Sequence, residues 1–271
     1  MKKLLLSAAL FFGVTMSSFA QFNGNFETLF GGKPASVTLI SEMGVVKSGV
    51  AFIGDSREAG QVEGALHDMK YEGNEKSFAD PNGENLIKFT TRLSFKGLAA
   101  LKDETLPLSR IVQFKPLSSG KIRLAAHNDK PAEDRHIIIG ILNGKSFTTL
   151  ATLDPKTAST ANGGSGSSSA PFNYSVVDYT YTPGDEIWIY SDNNLYFWGF
   201  QFEGNIDSSY AGTNPQSVEL ATSLENALMR VVSTEYYNIN GMLVTNPTEG
   251  VYIRKQLLED GSSKVTKAVI K

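Results

Sequence analysis

The sequence predicts an all-β protein, built as an antiparallel, jelly-roll-like β-sandwich followed by a small C-terminal β meander. Between Phe22 and Phe202 the apolar runs are short and rich in β-branched or aromatic residues, and Gly, Pro, Asn, Asp and Ser separate them. No capped amphipathic helix of three turns interrupts these runs. The chain of 271 residues has 41% hydrophobic residues and no cysteine, so a packed core rather than disulfides must stabilise it.

The predicted strands follow one another at spacings of about a dozen residues, which is typical of sandwiches. They are Ser36 to Ile40, Val50 to Ile53, Leu86 to Phe95, Ser109 to Phe114, Gly120 to Ala126, His136 to Leu142, Phe147 to Thr152, Tyr174 to Tyr181, Glu186 to Ser191 and Leu195 to Phe202. In the last strand, alternation predicts one face with Tyr196, Trp198, Phe200 and Phe202, and another with Leu195, Phe197, Gly199 and Gln201. Both faces are mostly apolar, as in a strand at the middle of a sandwich.

Residues 1–20 have the pattern of a secretory signal peptide. Lys2 and Lys3 precede an apolar run from Leu4 to Val14, and small residues end the segment at Ala20. A membrane anchor would need about 20 apolar residues, and this run is shorter. We therefore expect export by the Sec translocon, cleavage by signal peptidase before Gln21, and no transmembrane span.

The charge balance argues against a nucleic-acid partner. The chain has 25 Lys and Arg residues against 28 Asp and Glu residues, a formal net charge of -3. No polybasic segment is present to bind a phosphate backbone.

Polar and turn-forming residues divide the chain into a sandwich domain over 22–205, a linker over 206–215 and a C-terminal domain over 216–271. In the C-terminal domain the predicted strands are Val231 to Tyr237, Met242 to Val244, Val251 to Leu258 and Lys264 to Ile270. Between the first two, Asn240-Gly241 is a dipeptide that favours positive φ at both corners of a two-residue hairpin turn.

Three motifs in this tail resemble the C-terminal sorting domain of Bacteroidota type IX secretion cargo. They are the runs Val232 to Gly241, Pro247 to Ile253 and Lys264 to Lys271. The residues that carry the resemblance are Tyr236, Tyr237, Asn238, Gly241, Pro247, Gly250, Tyr252, Ile253, Lys267 and Lys271. The resemblance implies recognition by the type IX outer-membrane translocon, followed by secretion or attachment to the outer-membrane surface. Full-length tails of this family have more strands, so a protein that stays in the periplasm is one alternative. A plain β appendage that stabilises the main domain is another.

The region 86–203 resembles the non-catalytic β-sandwich modules that Bacteroidota attach to secreted polysaccharide lyases. The run Gly184-Asp-Glu-Ile-Trp-Ile-Tyr-Ser191, followed by the aromatic strand from Leu195 to Phe202, carries this resemblance. It implies a jelly roll with a polysaccharide as its ligand.

Candidate ligand-binding residues cluster in the same region. Aromatic rings suit the apolar face of a sugar and planar polar groups suit its hydroxyls. The candidates are the aromatic residues Trp188, Tyr190, Tyr196 and Trp198 and the polar residues Asp192, Asn193 and Asn194. Two alternatives stay open: the aromatic side chains form the core, and the polar triplet forms a hairpin turn or a calcium site.

The sequence assigns no catalytic residue. Gly54-Asp55-Ser56 resembles the first block of the Gly-Asp-Ser hydrolases, but the later blocks of that family are missing. His67, His127 and His136 are too scattered for a histidine metal site, and we expect no cofactor apart from the calcium candidate. Besides glycan or surface binding, a small polysaccharide lyase or hydrolase and a structural or adhesive surface protein remain alternatives.

Overall fold

The computed structural model describes residues 21–40, 44–57, 69–130, 132–155, 164–221, 231–258 and 263–270. The predicted signal peptide over 1–20 lies outside these residues. The chain consists of two compact units, with the boundary between Val218 and Glu219. Within the described ranges, no helix is both long enough and apolar enough to cross a membrane.

The first unit consists of short strands and two short helices. Its strands are β1 (Phe22–Asn25), β2 (Thr38–Ile40), β3 (Val45–Lys47), β4 (Val50–Asp55), β5 (Met69–Ala79), β6 (Ile87–Phe95), β7 (Leu101–Lys102), β8 (Leu106–Pro107), β9 (Ser109–Phe114), β10 (Gly120–His127), β11 (Ile137–Asn143), β12 (Ser146–Leu153), β13 (Phe172–Asn173), β14 (Ser175–Tyr179), β15 (Glu186–Ser191) and β16 (Leu195–Phe202). The helices are α1 (Phe26–Phe30) and a 3-10 turn (Pro215–Ser217).

These strands form two large sheets, which confirms the all-β prediction. The eight-stranded sheet has the order β13-β5-β6-β16-β10-β14, with β1 also paired to β16 and β2 to β5. The six-stranded sheet has the order β12-β11-β15-β9-β4-β3, and β7 pairs with β8 in a small ribbon. Among the described strands, every pairing is antiparallel except that of β13 with β5.

The main core lies between the two sheets and makes the first unit a sandwich. The Phe114 ring of the six-stranded sheet stacks on the Phe200 ring of the eight-stranded sheet, with centroids 4.9 Å apart. Phe26 of α1 also contacts Phe52 across this space. Burying each such ring stabilises the fold by about 1.5–3 kcal/mol.

The predicted alternation in β16 is wrong after Trp198. The main core contains Phe197, Phe200 and Phe202, whereas Trp198 belongs to a second cluster on the other side of the sheet. The reason is a β-bulge, because the pairing with β10 skips one residue between Phe197 and Gly199. The extra residue reverses the direction of the side chains that follow.

Strand β5 was not among the predicted strands. Met69 and Tyr71 point into the main core, but Phe78 packs in the second cluster on the opposite face. An irregularity in the pairing with β6, between Gly73 and Lys76, causes this switch. The alternation of buried and exposed side chains therefore reverses in the middle of β5. The sequence of this strand consequently has no continuous two-residue period of apolar residues. Other elements that the sequence does not predict are the short strands β1, β3, β7, β8 and β13 and the five-residue helix α1.

The segment 206–215, predicted as a linker, packs against the sandwich. Asp207 donates its backbone N–H to the carbonyl oxygen of Lys115 at 2.9 Å. The Tyr210 hydroxyl contacts Glu186 Oε2 at 2.8 Å, and its ring is buried. The first compact unit consequently ends at Val218, whereas the turn-forming residues of the sequence predict a boundary at 206–215.

The second unit is a four-stranded antiparallel sheet. Its strands are β17 (Val231–Tyr237), β18 (Leu243–Val244), β19 (Gly250–Leu258) and β20 (Ser263–Ile270). Their order, β18-β17-β19-β20, differs from a strict meander because β19 returns to the far side of β17. β18, with two residues, is an edge strand.

The Asn240-Gly241 hairpin turn differs from the predicted two-residue form. Gly241 has φ of 79°, but Asn240 is not among the residues with positive φ. Asn238 N–H donates to the carbonyl of Met242 at 2.9 Å, which closes a three-residue loop. The Asn238 side chain accepts hydrogen bonds from the backbone N–H groups of Asn240 and Met242, which makes the single left-handed position at Gly241 sufficient.

We expect Phe200→Ala to lower the free energy of unfolding of the first unit by about 3–5 kcal/mol, because it leaves a cavity between the sheets. Urea denaturation followed by tryptophan fluorescence measures this unit alone, since both tryptophans of the chain, Trp188 and Trp198, lie in it. Leu98→Ala, at a side chain that is 69% exposed, is the control and should change the value by less than about 0.5 kcal/mol. Equal effects of the two substitutions would contradict the proposed core.

Candidate functional site

The two tryptophans predicted as ligand-binding residues are buried. Trp188 is fully covered, and the Phe147 ring lies 5.5 Å from it. Phe147 reaches this position by crossing Gly140, where a Cβ atom would lie 2.2 Å from the phenyl ring. Tyr190 is buried in the same region and also contacts Phe147. None of these rings presents a face on which a sugar can stack.

Trp198 lies in the second aromatic cluster, on the outer face of the eight-stranded sheet. Its indole N–H donates to the carbonyl of Asn74 at 3.0 Å. The buried members of this cluster are Phe78, Phe89, Ala125, Phe172, Tyr174 and Trp198. For Trp188, Tyr190 and Trp198 the structure therefore shows the core alternative.

Tyr196 differs from the other three candidates because it is only half-buried. It packs at the margin of the second cluster, with ring centroids 6.1 Å from Trp198. The Arg92 guanidinium lies 3.5 Å above the Tyr196 ring, and Arg92 also pairs with Glu72 at 2.8 Å. A stacked guanidinium and an ion pair hold the ring in one orientation.

The triplet Asp192-Asn193-Asn194 forms the turn between β15 and β16. Asp192 accepts the backbone N–H of His136 at 2.8 Å, and its second oxygen lies 2.6 Å from His136 Nδ1. Asn193 Oδ1 accepts the backbone N–H of Asn194 at 2.7 Å. Asn194 Oδ1 in turn accepts the backbone N–H of Gly97. These side-chain oxygens stabilise the turn and tie it to its neighbours, as the turn alternative expects.

A cleft of about 220 Å³ opens beside this turn. It is lined by Ser94, Phe95, Lys96, Asp129, Lys130, Arg135, Asn194, Leu195 and Tyr196. Three parts of the fold meet here: the end of β6, the turn leading into β16, and the loop between β10 and β11. Ser94 pairs with Tyr196 across β6 and β16, which places both at the same point of the sheet.

Arg135 holds the loop of the cleft in place. Its side chain is 2% exposed and donates to Glu133 Oε2 at 2.7 Å and to Asp129 Oδ1 at 3.1 Å. It also donates to the backbone carbonyl of Asn194 at 2.9 Å, which joins the loop to the β15–β16 turn. Hydrogen bonds from Arg135 and Lys130 lower the pKa of Glu133, so this carboxylate stays ionised.

The buried Ser94 contributes a hydroxyl that has no hydrogen-bond partner within the described part of the chain. Buried hydroxyls are normally paired, because an unpaired one costs about 1–3 kcal/mol. Because its oxygen is buried, the Ser94 hydroxyl is an unsatisfied group of the fold and is not exposed to the cleft.

The two described histidines are separate from one another. His136 pairs with Asp192, as above, whereas His127 stacks on Phe172 with centroids 4.3 Å apart. Burial lowers the pKa of His127, which favours its neutral form. His67 lies outside the described residues. Across those residues, no group of three or more His, Cys, Asp or Glu side chains is arranged to hold a metal ion.

The Gly54-Asp55-Ser56 segment ends β4 inside the protein. Ser56 Oγ donates to the backbone carbonyl of Leu108 at 2.8 Å, and Asp55 pairs with the buried Arg57 at 2.6 Å. Burial lowers the pKa of the neighbouring Arg110 to about 10. The Ser56 hydroxyl is thus buried and donates a structural hydrogen bond. This does not fit the exposed serine nucleophile of a hydrolase.

The described tail residues that carry the sorting resemblance lie on the strands β17, β19 and β20 and in two connecting segments. Tyr236 and Tyr252 form a ring contact, with centroids 6.2 Å apart, and Lys267 lies opposite Ile253 in the pairing of β19 with β20. Gly250 begins β19 with φ of 155°. Tyr237, Asn238 and Gly241 lie at the first turn, Pro247 lies between β18 and β19, and Lys271 lies outside the described residues.

Sequence reasoning missed most of the cleft. Lys96, Asp129, Lys130 and the buried Arg135 are not among the predicted ligand-binding residues. No local pattern marks these residues, because they come from segments that the fold brings together. Only Asn194 and Tyr196 of the predicted ligand residues line the cleft.

Comparison with known proteins adds no assignment. No known protein family matches the chain, and no curated protein sequence matches it.

We expect Arg135→Met to lower the free energy of unfolding by about 1.5–3 kcal/mol, because charged hydrogen bonds between the loop and the turn are lost. Urea denaturation followed by tryptophan fluorescence gives the value. The matched control is Lys121→Met, which breaks a 3.5 Å ion pair with Asp178, a side chain that is 90% exposed. The control should change stability by less than about 0.5 kcal/mol, and an Arg135→Met effect that small would show that Arg135 does not hold the loop.

Proposed function

We propose that this chain is an exported, non-catalytic glycan-binding protein, with the cleft at Tyr196 as its binding site and the C-terminal unit as its sorting signal. The observation that carries the binding proposal is the half-buried Tyr196 ring beside hydrogen-bonding groups in a preformed cleft. The sorting proposal is supported separately by the sequence resemblance of the tail.

The lining of the cleft supports a sugar ligand. The Tyr196 ring supplies an apolar surface, and its orientation is held by Arg92 before any ligand arrives. Asn194 and Asp129 supply polar groups of the kind that bind sugar hydroxyls. A cleft of about 220 Å³ is smaller than the roughly 300–1,000 Å³ of pockets that enclose a drug-sized ligand. It suits one sugar residue at a chain end or along a chain.

The acidic groups of the cleft favour binding over hydrolysis. Glycoside hydrolysis uses two carboxyl groups on opposite sides of the scissile bond. Among the described residues that line the cleft, Asp129 is the single carboxylate, and it is held by Arg135 at 3.1 Å.

The tail supports the export proposal in two ways. Its residues form a compact unit of their own, as expected for a signal that a translocon reads independently of the cargo. The motifs of the type IX resemblance lie on adjacent strands of one sheet, where Tyr236 of β17 and Tyr252 of β19 meet.

We expect Tyr196→Ala to abolish oligosaccharide binding, because it removes the apolar surface of the cleft. Tyr196→Phe, the matched control, keeps the ring and should retain binding within about threefold, a difference of under 1 kcal/mol. Glycan-array screening of the purified protein, followed by calorimetry on the best ligand, measures both. Tryptophan fluorescence confirms that the variants are folded. Unchanged binding by folded Tyr196→Ala would reject the site, and release of shortened products from a polysaccharide would favour the enzyme alternative.

We expect deletion of 219–271 to leave the sandwich folded but to retain it in the periplasm of a Bacteroidota host that has the type IX translocon. The reason is that the deletion removes the whole second unit and leaves the first intact. Cell fractionation with immunoblotting locates the protein, and the full-length chain in the same host is the control. Surface exposure of the truncated, folded protein would contradict the sorting role.

A further inference from the structure

We infer that the ligand of the cleft is an acidic glycan, whose carboxylate or sulfate group binds between Lys96 and Lys130. This inference rests on the proposed glycan site and specifies its ligand class. Both side chains are exposed and both line the cleft that contains Tyr196.

The charge of the cleft differs in sign from that of the chain. The lining contains Lys96, Lys130 and Arg135, and the carboxylates paired with them are Asp129 and Glu133, which leaves a formal charge of +1 (three minus two) for this group. The whole chain has a formal net charge of -3. An anionic ligand is therefore repelled by the protein in general and attracted at this cleft, which gives positional specificity.

Arg135 does not supply the binding charge. Its guanidinium is buried and already donates to Asp129, Glu133 and the carbonyl of Asn194. Two carboxylates thus neutralise it within the fold. Its role is to position Asp129 and Asn194 at the wall of the cleft.

Lys130 remains available to a ligand. It lies 3.2 Å from Glu133, but the two side chains are 58% and 46% exposed. An exposed pair of this kind is worth about 0.2–1 kcal/mol, and Glu133 is held more closely by Arg135, at 2.7 Å. A ligand anion can therefore compete for the Lys130 ammonium group.

Lys96 provides the second positive charge. It follows β6 directly, next to Phe95 and close to the Asn194 side chain that binds Gly97. No ion pair involves Lys96 in the part of the chain that the structure describes. Its ammonium group is hydrated in the free protein and needs no internal contact to be broken before it binds an anion.

The geometry suits a sugar acid because charge and ring are adjacent. A pyranose lying on Tyr196 presents its exocyclic carboxylate or sulfate at its edge, where the lysines line the same cleft. Carboxylate and sulfate share this recognition by ammonium groups, so the experiment must distinguish uronic acids from sulfated sugars.

The test is calorimetry of the purified full-length protein with three probes of similar length. They are an oligogalacturonate, which carries only carboxylates, a κ-carrageenan oligosaccharide, which carries only sulfates, and a neutral cello-oligosaccharide. We expect at least one acidic probe to bind at least tenfold more tightly than the neutral probe. Its affinity should fall as NaCl rises from 50 to 500 mM, because the lysines are exposed to screening. The acidic probe that binds identifies the anion as carboxylate or sulfate.

Two pairs of variants assign the effect to the cleft. Lys96→Gln/Lys130→Gln should weaken binding of the acidic probe about tenfold or more and leave any neutral binding unchanged. Lys88→Gln/Lys121→Gln is the matched control, since both lysines form partly exposed ion pairs on strands and neither lines the cleft. Thermal unfolding shows whether either double variant is damaged.

The possible failures separate the inference from the function on which it rests. Equal affinity for acidic and neutral probes, or acidic binding that the cleft variant leaves unchanged, overturns the acidic-ligand inference while glycan binding stands. Absence of binding to every oligosaccharide, in calorimetry and on the array, overturns the proposed function itself.

Discussion

The β-bulge in β16 is the constraint on which the rest of the sandwich depends. It allows one strand to send Phe197 and Phe200 into the main core and Trp198 into the second cluster. Gly199 is required at this point, because its φ is 155° and a Cβ atom would lie 2.7 Å from the Gly24 carbonyl oxygen. The same atom would lie 2.8 Å from the Phe89 ring. The bulge therefore builds two apolar layers with one central strand and allows β1 to pair closely beside it.

The position of the cleft follows from this arrangement. Because Trp198 is covered by the second cluster, the aromatic row ends at Tyr196, which is half-buried at the margin of that cluster. Strand β6 ends beside the start of β16, so the turn after β15 and the loop after β10 meet at the same corner. Arg135 joins these two segments through Asp129 and the Asn194 carbonyl. The cleft is thus formed by rigid strand ends and one internally bonded loop, an arrangement that organises a binding surface before the ligand arrives.

The buried and the exposed positive charges of the cleft have different roles. The buried guanidinium of Arg135 is neutralised by the carboxylates of Asp129 and Glu133. Its role is structural, because it holds these carboxylates in position. The exposed ammonium groups of Lys96 and Lys130 keep most of their hydration and contribute little to stability. They supply the positive charge that the acidic-glycan inference requires, in a chain whose net charge is negative.

What the sequence determined by itself is the set of elements that local chemistry marks. The bounds of β9, β15 and β16 match their predictions because each strand is a β-rich run between turn residues, and Asn240-Gly241 correctly marked the first hairpin of the tail. The tertiary structure alone decided the faces of β16 and β5, since a single bulge reverses every side chain beyond it. It also decided which candidates reach solvent: Trp188 and Trp198 are buried by residues distant in sequence, Phe147 and Phe78 among them. The cleft unites Lys96, Arg135 and Tyr196 from separate segments, and this proximity arises only when the two sheets and their loops pack together.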